Sequence, residues 1–287
     1  MKKISLLLAA SAIFAGASFA EDITSEVVKT EVVNVNNGGT LNVIGSNAKL
    51  IFDSSISGVQ YALDIKYGGE MYVSDGALVD MNSVQKDFKV IRVGGYLQVD
   101  TGAKIRTNKI TIADNGEFNL AQANAISASS LANPYLTFAG GANLLTLRAS
   151  QTFILDIRTT SNATMTIFPE AVLTVSNWYV HTNVSDSADP TVVYLNDFVS
   201  NSIFLADSSN TAYSISEDGV LTVTYTEGTT VKKQRFSFLD AYDNVLAMKL
   251  VDAEGGKYLS TAIPEPAEWA AIFGAIALGL AVYRRRR

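Results

Sequence analysis

The 287-residue chain contains no cysteine and one histidine, His181. Without cysteine it cannot form disulfide bonds, thiolate zinc sites or a thiol nucleophile. A Ser-His-Asp triad would have to use His181, and no Gly-x-Ser-x-Gly nucleophile elbow accompanies that residue. We therefore interpret His181 as an ordinary loop residue, and we expect no catalytic, cofactor-binding or metal-binding residue around it.

Basic residues are also scarce, since 22 Lys and Arg stand against 28 Asp and Glu. Many of the cations lie in two short terminal segments, namely Lys2-Lys3 and the arginines at 284–287. Residues 21–263 keep 16 basic and 26 acidic residues, so this region carries a net charge of −10. Such an acidic surface argues against binding to nucleic acid.

The first 20 residues have the layout of a secretory signal peptide. Lys2 and Lys3 form a basic start, Ile4 to Ala15 is apolar, and Ser18-Phe19-Ala20 is a small-x-small cleavage site. We predict cleavage between Ala20 and Glu21, with the Sec machinery and signal peptidase as partners. An uncleaved membrane anchor is the alternative interpretation.

The last 25 residues combine a proline-rich joint, an apolar run and a basic end. The joint is Pro264-Glu265-Pro266, and the run from Ala267 to Tyr283 would reach about 25 Å as a helix, at the short end of what spans a bilayer. Four arginines follow, and their charge favours a cytoplasmic end. They are Arg284, Arg285, Arg286 and Arg287. A transmembrane helix is therefore predicted, with a buried helix of a soluble domain as the alternative.

This tail resembles the PEP-CTERM sorting signal of exported proteins from Gram-negative bacteria. The resemblance rests on Pro264, Glu265, Pro266, the apolar run and the terminal arginines. It implies processing by an exosortase-type membrane enzyme that acts near the Pro-Glu-Pro motif. It also implies anchoring in the inner membrane with the cargo outside the cytoplasm, followed by transfer to the cell surface or an exopolysaccharide matrix.

Between the two ends, the pattern Gly-x-φ-x-φ recurs, where φ is an apolar residue. Copies begin at Gly39, Gly69, Gly95 and Gly116, and a displaced copy follows Gly140. Their apolar positions are Leu41, Val43, Met71, Val73, Leu97, Val99, Phe118, Leu120, Leu145 and Leu147. Later copies are recognised at Ala171 to Val175 and Gly219 to Val223.

Two further alternating segments accompany each of the early copies. One follows it, as in Ala48-x-Leu50-x-Phe52, and one precedes the next glycine, as in Leu63-x-Ile65. Each unit thus offers three short strands separated by Gly, Asn, Asp and Ser turns. Units of 20 to 30 residues with three strands favour a parallel β-solenoid, in which equivalent strands stack on one another.

We therefore predict an all-β chain folded as a right-handed parallel β-solenoid (β-helix), with a β-sandwich as the alternative. The repeats resemble autotransporter passenger regions. The predicted organisation is a signal peptide with a signal helix at 1–20, solenoid repeats at 21–150, continuing solenoid and a β cap at 151–260, and the sorting tail at 261–287. Within the cap, a hairpin is predicted that joins Val223–Tyr225 to Arg235–Phe238.

Carboxylates are the remaining candidates for chemistry, because some β-solenoids cleave polysaccharides. Five of them could share a face with Arg92 and Arg106. These are Asp75, Asp80, Asp87, Asp100 and Asp114. Several adjoin glycine or asparagine, so a role in turns is the simpler interpretation. Tyr72, Tyr96, Trp178 and Tyr179 are expected on the surface, where aromatic rings can stack on sugars.

The expected function is that of a non-enzymatic structural or adhesive protein of the cell envelope or extracellular matrix. Its expected contacts are the membrane, through the tail, and exopolysaccharide. The alternative is a secreted β-helix polysaccharide lyase or hydrolase. Carboxylates and cations that converge in one groove would favour this alternative, because catalysis needs two carboxylates, or calcium with a basic partner, at one sugar bond.

Overall fold

The computed structural model describes residues 20–84, 89–184 and 188–261. Throughout this part of the chain the regular elements are β-strands, so the predicted all-β class is confirmed. The described residues contain no helix that is long and apolar enough to cross a membrane. The predicted signal helix before Ala20 and the whole predicted transmembrane helix lie outside the described residues.

The strands form three sheets, which we call sheets A, B and C. Sheet A starts with a series of parallel strands: β1 (Ala20–Ile23), β4 (Thr40–Ile44), β7 (Glu70–Ser74), β10 (Tyr96–Val99), β13 (Glu117–Leu120), β16 (Gly141–Leu147), β18 (Ser161–Ile167) and β20 (Thr191–Asn196). It continues into β24 (Thr230–Leu239), β23 (Leu221–Glu227) and β22 (Thr211–Ile215).

Sheets B and C are built from the strands between these. Sheet B contains β2 (Glu26–Lys29), β5 (Lys49–Phe52), β8 (Leu78–Asp80), β11 (Lys104–Arg106) and β14 (Ile126–Ser127). Sheet C contains the following strands: β3 (Val33–Val35), β6 (Leu63–Ile65), β9 (Val90–Val93), β12 (Lys109–Ala113), β15 (Tyr135–Ala139), β17 (Gln151–Ile157), β19 (Leu173–Trp178), β21 (Ile203–Ala206), β26 (Gly256–Thr261) and β25 (Met248–Ala253).

The chain visits the sheets in a fixed order, which is consistent with a β-solenoid. It passes through A, B and C in turn from β1 to β15, and through A and C alone from β16 to β21. Each visit pairs a strand in parallel with its equivalent from the previous visit. The second alternating segment is lost after Leu147, because only residues 148–150 separate β16 from β17.

The register places the predicted apolar positions in continuous columns. Leu41 pairs with Met71, Met71 with Leu97, and Leu97 with Phe118. The displaced copy is in phase too, since Phe118 pairs with Leu145. All five side chains are buried. Because strand side chains alternate between faces, the intervening residues point away from the core and form the outer surface of the sheet.

Glycine occupies the corner at which the chain leaves sheet C and enters sheet A. A Cβ atom added to Gly95 would lie 2.1 Å from the carbonyl oxygen of Gly69. One added to Gly116 would lie 1.9 Å from the carbonyl oxygen of Val93. Glycine is therefore required at Gly95 and Gly116, because the backbones of adjacent repeats approach too closely there for any side chain.

Antiparallel strands end two of the stacks. Strand β24 still pairs in parallel with β20, but β23 and β22 then add to sheet A in antiparallel fashion. On sheet C, β26 and β25 do the same beyond β21. The predicted hairpin is confirmed, because Glu227 pairs with Thr230 across the turn at Gly228-Thr229.

Two later copies of the repeat were assigned to the wrong place by the sequence pattern. Leu173 and Val175 lie in β19 of sheet C, whereas the early copies lie in sheet A. Leu221 and Val223 lie in the antiparallel strand β23. All four side chains are buried, so the pattern identified their faces correctly but not their strand partners.

Candidate functional site

A polar row crosses the outer face of sheet C. It is produced by the outward position in each strand, between two apolar residues that face the core. The row consists of Asp64, Arg92, Thr111, Thr137 and Asp156, each paired in register with the next. Stacking thus brings together side chains that are far apart in the sequence.

A groove of about 460 Å³ lies over part of this row, where Arg92 and Thr111 contribute to its lining. Its charged lining consists of Arg92, Lys109, Arg158 and Asp114, and Tyr61 contributes an aromatic wall. The lining residues extend from the repeat of β6 to that of β17, which corresponds to four strand spacings or about 19 Å. The volume is within the range of small-ligand sites, about 300 to 1,000 Å³.

Arg92 is held by carboxylates on either side. Its Nη1 donates to Asp64 Oδ1 at 2.8 Å, and its Nη2 forms an ion pair with Asp114. Asp114 comes from the turn after β12, where it adopts a φ of +53°. The guanidinium carbon also lies 5.7 Å from the centre of the Tyr61 ring. Both carboxylates are thus already occupied by a cation.

A second charged group surrounds Asp156, which is only 3% exposed. Its Oδ2 accepts a hydrogen bond from Thr137 at 3.3 Å and lies 4.0 Å from Arg158 Nε. Its Oδ1 has no hydrogen-bond partner among the described residues. Burial raises the pKa of Asp156, against the attraction of Lys109, Arg158 and His181. Burial likewise lowers the pKa of Lys109, against the attraction of Asp156. For both side chains, the loss of hydration on burial shifts the pKa more than their mutual attraction does.

Replacement of Asp156 by asparagine is expected to stabilise the fold at pH 7. A raised folded-state pKa means that the neutral carboxyl favours folding, and that this contribution is lost as the pH rises through that pKa. Asparagine keeps a neutral side chain at every pH, while Lys109, Arg158 and His181 stay in place. The gain in thermal midpoint should therefore be present at pH 7 and absent at about pH 3, below the unfolded pKa.

The matched control is Asp189→Asn, at an exposed carboxylate without a positive φ, which is expected to leave the midpoint unchanged at pH 7. A lower midpoint for Asp156→Asn at pH 7 would mean that attraction to Lys109 and Arg158 exceeds the effect of burial.

An aromatic cluster adjoins the polar row at the end of the row that contains Asp156. The Tyr179 ring lies 6.3 Å from Tyr135 and 5.0 Å from Tyr225, both edge-on. Lys232 Nζ lies 5.4 Å from the centre of the Tyr179 ring, and the ring of His181 lies 6.3 Å from it. His181 is exposed, as predicted for a loop residue.

The predicted exposure of Trp178 is wrong. Its ring is 2% exposed and lies 4.7 Å from Phe236 in the core. The reason is a β-bulge in β19, where Phe153 pairs with Val175 but Ile154 pairs with Asn177. The extra residue, Ser176, reverses the alternation of faces, so Trp178 points inward and Tyr179 outward.

The predicted aromatics of sheet A do face outward. Tyr72 and Tyr96 are half-buried neighbours, with ring centres 5.6 Å apart. Tyr72 donates a hydrogen bond to Glu70 Oε2 at 2.9 Å, and Tyr96 bonds to Gln98. Their hydroxyl groups are therefore engaged with neighbours on the same strand.

The carboxylates singled out from the sequence do not share one face. Asp80 pairs with Arg106 at 3.2 Å on sheet B, whereas Asp114 pairs with Arg92 on sheet C. Asp75, like Asp114, adopts a positive φ in a turn, and Asp100 accepts a hydrogen bond from Gln98. Asp87 lies outside the described residues.

Sequence reasoning missed Asp64 and Asp156, which do not line the groove but pair with its cations Arg92 and Arg158. Both occupy the middle of an apolar-x-apolar triplet, Leu63-Asp64-Ile65 and Leu155-Asp156-Ile157. Aligning these triplets with the one that contains Arg92 would have revealed the row.

The predicted processing residues lie at the ends of the described chain. Ala20 and Glu21, on either side of the predicted cleavage point, are the first residues of β1, and Glu21 pairs with Lys29 at 3.1 Å. Ser18 and the sorting residues 264–266 and 284–287 lie outside the described residues.

Neither a search for metal ligands nor a comparison with known proteins assigns a function to these residues. The described residues contain no cluster of three or more His, Cys, Asp or Glu side chains suited to a metal ion. No family model, curated protein or solved structure significantly matches the chain.

Proposed function

We propose that the chain is an exported, non-enzymatic protein of the cell envelope or extracellular matrix. In this proposal its strands form a right-handed parallel β-solenoid with a C-terminal β cap, which acts as a rigid spacer or an adhesive rod. The observation that carries the proposal is the continuous stack of in-register parallel strands around one apolar core. Right-handed crossovers are strongly preferred between parallel strands, and each repeat contacts mainly its neighbours.

In this proposal the two ends of the chain determine where the protein is located. The Sec machinery exports the chain, signal peptidase cleaves it after Ala20, and the tail holds it in the inner membrane. An exosortase-type enzyme then processes it near Pro264-Glu265-Pro266. The product resides at the cell surface or in an exopolysaccharide matrix. The support is the order of the sequence elements.

Replacement of both prolines, Pro264→Ala with Pro266→Ala, is expected to block processing of the tail. Alanine permits a helix where proline enforces an extended joint, so the sorting enzyme should lose its recognition site. Cell fractionation with intact-mass analysis should then show the uncleaved tail and retention in the inner membrane. Pro190→Ala, in the loop before β20, is the control and should be sorted normally. Unchanged mass and location of the double variant would favour a plain membrane anchor.

A polysaccharide lyase or hydrolase is the second candidate. It is favoured by the groove on sheet C, where Asp64, Asp114 and Asp156 approach the cations Arg92, Lys109 and Arg158. We rank it second because two of these carboxylates are occupied by Arg92 and the third is buried. Glycoside hydrolysis instead needs two carboxylates that both reach the sugar bond. Release of reducing ends or unsaturated uronates from exopolysaccharide, abolished by Asp114→Asn but not by Asp197→Asn, would reverse the ranking.

A further inference from the structure

The groove on sheet C is lined by more positive than negative side chains, namely Arg92, Lys109 and Arg158 against Asp114. Arg92 is matched by two carboxylates, Asp64 and Asp114. Among the described residues, Lys109 and Arg158 share one carboxylate, Asp156, which is 3% exposed and does not line the groove. At this end, therefore, two cations face the groove while their counter-charge lies below the surface. This is unusual in a chain with a net charge of −6.

Neither cation is fully satisfied among the described residues. Arg158 Nε is buried without a hydrogen-bond partner, and its distance to Asp156 is 4.0 Å. Lys109 is half-buried, and burial lowers its pKa although Asp156 is near. An anion in the groove would accept charge-assisted hydrogen bonds from Lys109 Nζ and from the terminal guanidinium nitrogens of Arg158, whose side chain is 37% exposed, while the buried Nε stays out of its reach.

The other lining groups suit a sugar. Gln60, Asp114 and Thr111 offer amide, carboxylate and hydroxyl groups, and Tyr61 provides a ring surface beside Arg92. The residues that line the groove come from successive repeats. It therefore follows the direction in which strands stack, and a polymer can lie along it.

We propose that this groove binds an acidic glycan, with a sugar carboxylate held between Lys109 and Arg158 and neighbouring hydroxyl groups bonded to Gln60 and Asp114. The inference rests on the proposed function, because it names the class of matrix polysaccharide that the rod contacts. A neutral glycan would leave both cations without an anion.

Binding should be measured with the full-length protein in detergent, using a polyuronate oligomer as the probe. The same oligomer with its carboxyl groups reduced to alcohols is the neutral comparison, and dextran sulfate tests the type of anion. We expect the polyuronate to bind, the reduced oligomer to bind at least about tenfold more weakly, and added salt to weaken binding. Tighter binding of dextran sulfate than of the polyuronate would overturn the assignment to a carboxylate.

Lys109→Met and Arg158→Gln should each weaken polyuronate binding by about tenfold or more, because each removes a charge-assisted contact. Lys109→Arg should retain most of the affinity and guards against misfolding of the methionine variant. Lys104→Met, at an exposed lysine of sheet B, is the matched control and should bind like the unaltered protein. Equal affinity of Lys109→Met and the unaltered protein, or equal binding of the reduced oligomer, would overturn the inference.

The two proposals fail in different ways. Correct processing and surface display without polyuronate binding would overturn the groove assignment alone. Polyuronate binding by a protein that stays in the cytoplasm would overturn the proposed export and leave the groove assignment standing.

Discussion

Gly116→Ala is expected to destabilise the fold by about 3 kcal/mol, well above the cost of the same substitution at a glycine with open space around it. The new Cβ would lie 1.9 Å from the carbonyl oxygen of Val93, which belongs to the backbone of the preceding repeat and cannot rotate away. Relief would require the two repeats to separate at this corner, which would stretch the pairing of β13 with β10. Urea unfolding followed by circular dichroism measures the loss directly.

Gly140→Ala is the control for this substitution. Gly140 has a φ of +65°, but an added Cβ would find no atom within 4 Å. Its cost is therefore limited to backbone strain, about 1 kcal/mol. If the two variants lost equal stability, close approach between repeats would not be the reason for glycine at position 116.

Trp178→Ala is expected to cost about 3 to 5 kcal/mol, the range for removal of a large buried aromatic side chain. Its ring is 2% exposed and packs at 4.7 Å from Phe236 of β24. This contact joins sheet C to the strand that begins the antiparallel end of sheet A. We expect thermal unfolding at a lower temperature, and limited proteolysis should cut first within residues 207–261.

Trp178→Phe separates packing from hydrogen bonding at the same position. The indole Nε1 has no hydrogen-bond partner among the described residues, so phenylalanine removes an unsatisfied donor and keeps a ring against Phe236. The expected cost is below about 1.5 kcal/mol. A loss as large as that of the alanine variant would show that the indole contributes through an interaction other than ring packing.

Local alternation was enough to predict the faces of most strands. In the early repeats, the Gly-x-φ-x-φ pattern also predicted the partners, because a glycine needed at one corner marks the same point in every repeat. Leu41, Met71, Leu97 and Phe118 follow one another in register for this reason.

The pattern fails where equal alternation occurs in different sheets. Leu173 and Leu221 both begin a φ-x-φ segment, but one lies in a parallel strand of sheet C and the other in an antiparallel strand of sheet A. Alternation reports which side of a strand is apolar and carries no information on its neighbour. Neighbours depend on the lengths of the connections, and the connection from sheet A to sheet C shortens after Leu147 to residues 148–150.

The groove depends on the register between strands that are far apart in the sequence, so only part of it could be predicted from the sequence. Arg92 and Asp114 were recognised as charged candidates, but their union with Asp64 requires β6, β9 and β12 to be aligned. Asp156 becomes a buried charge only because the neighbouring strands and side chains cover it. The position of Trp178 depends on one extra residue, Ser176, which alternation alone does not reveal.

The ending of sheet B at β14 has a mechanical consequence. From β1 to β15 the stack has three walls, and such a section resists bending in every direction. From β16 onward two walls remain, so the section is thin in one direction and bends more easily across it. A sideways load on the free end would therefore concentrate strain where the third wall stops, and the stack of strands would have one preferred plane of flexing.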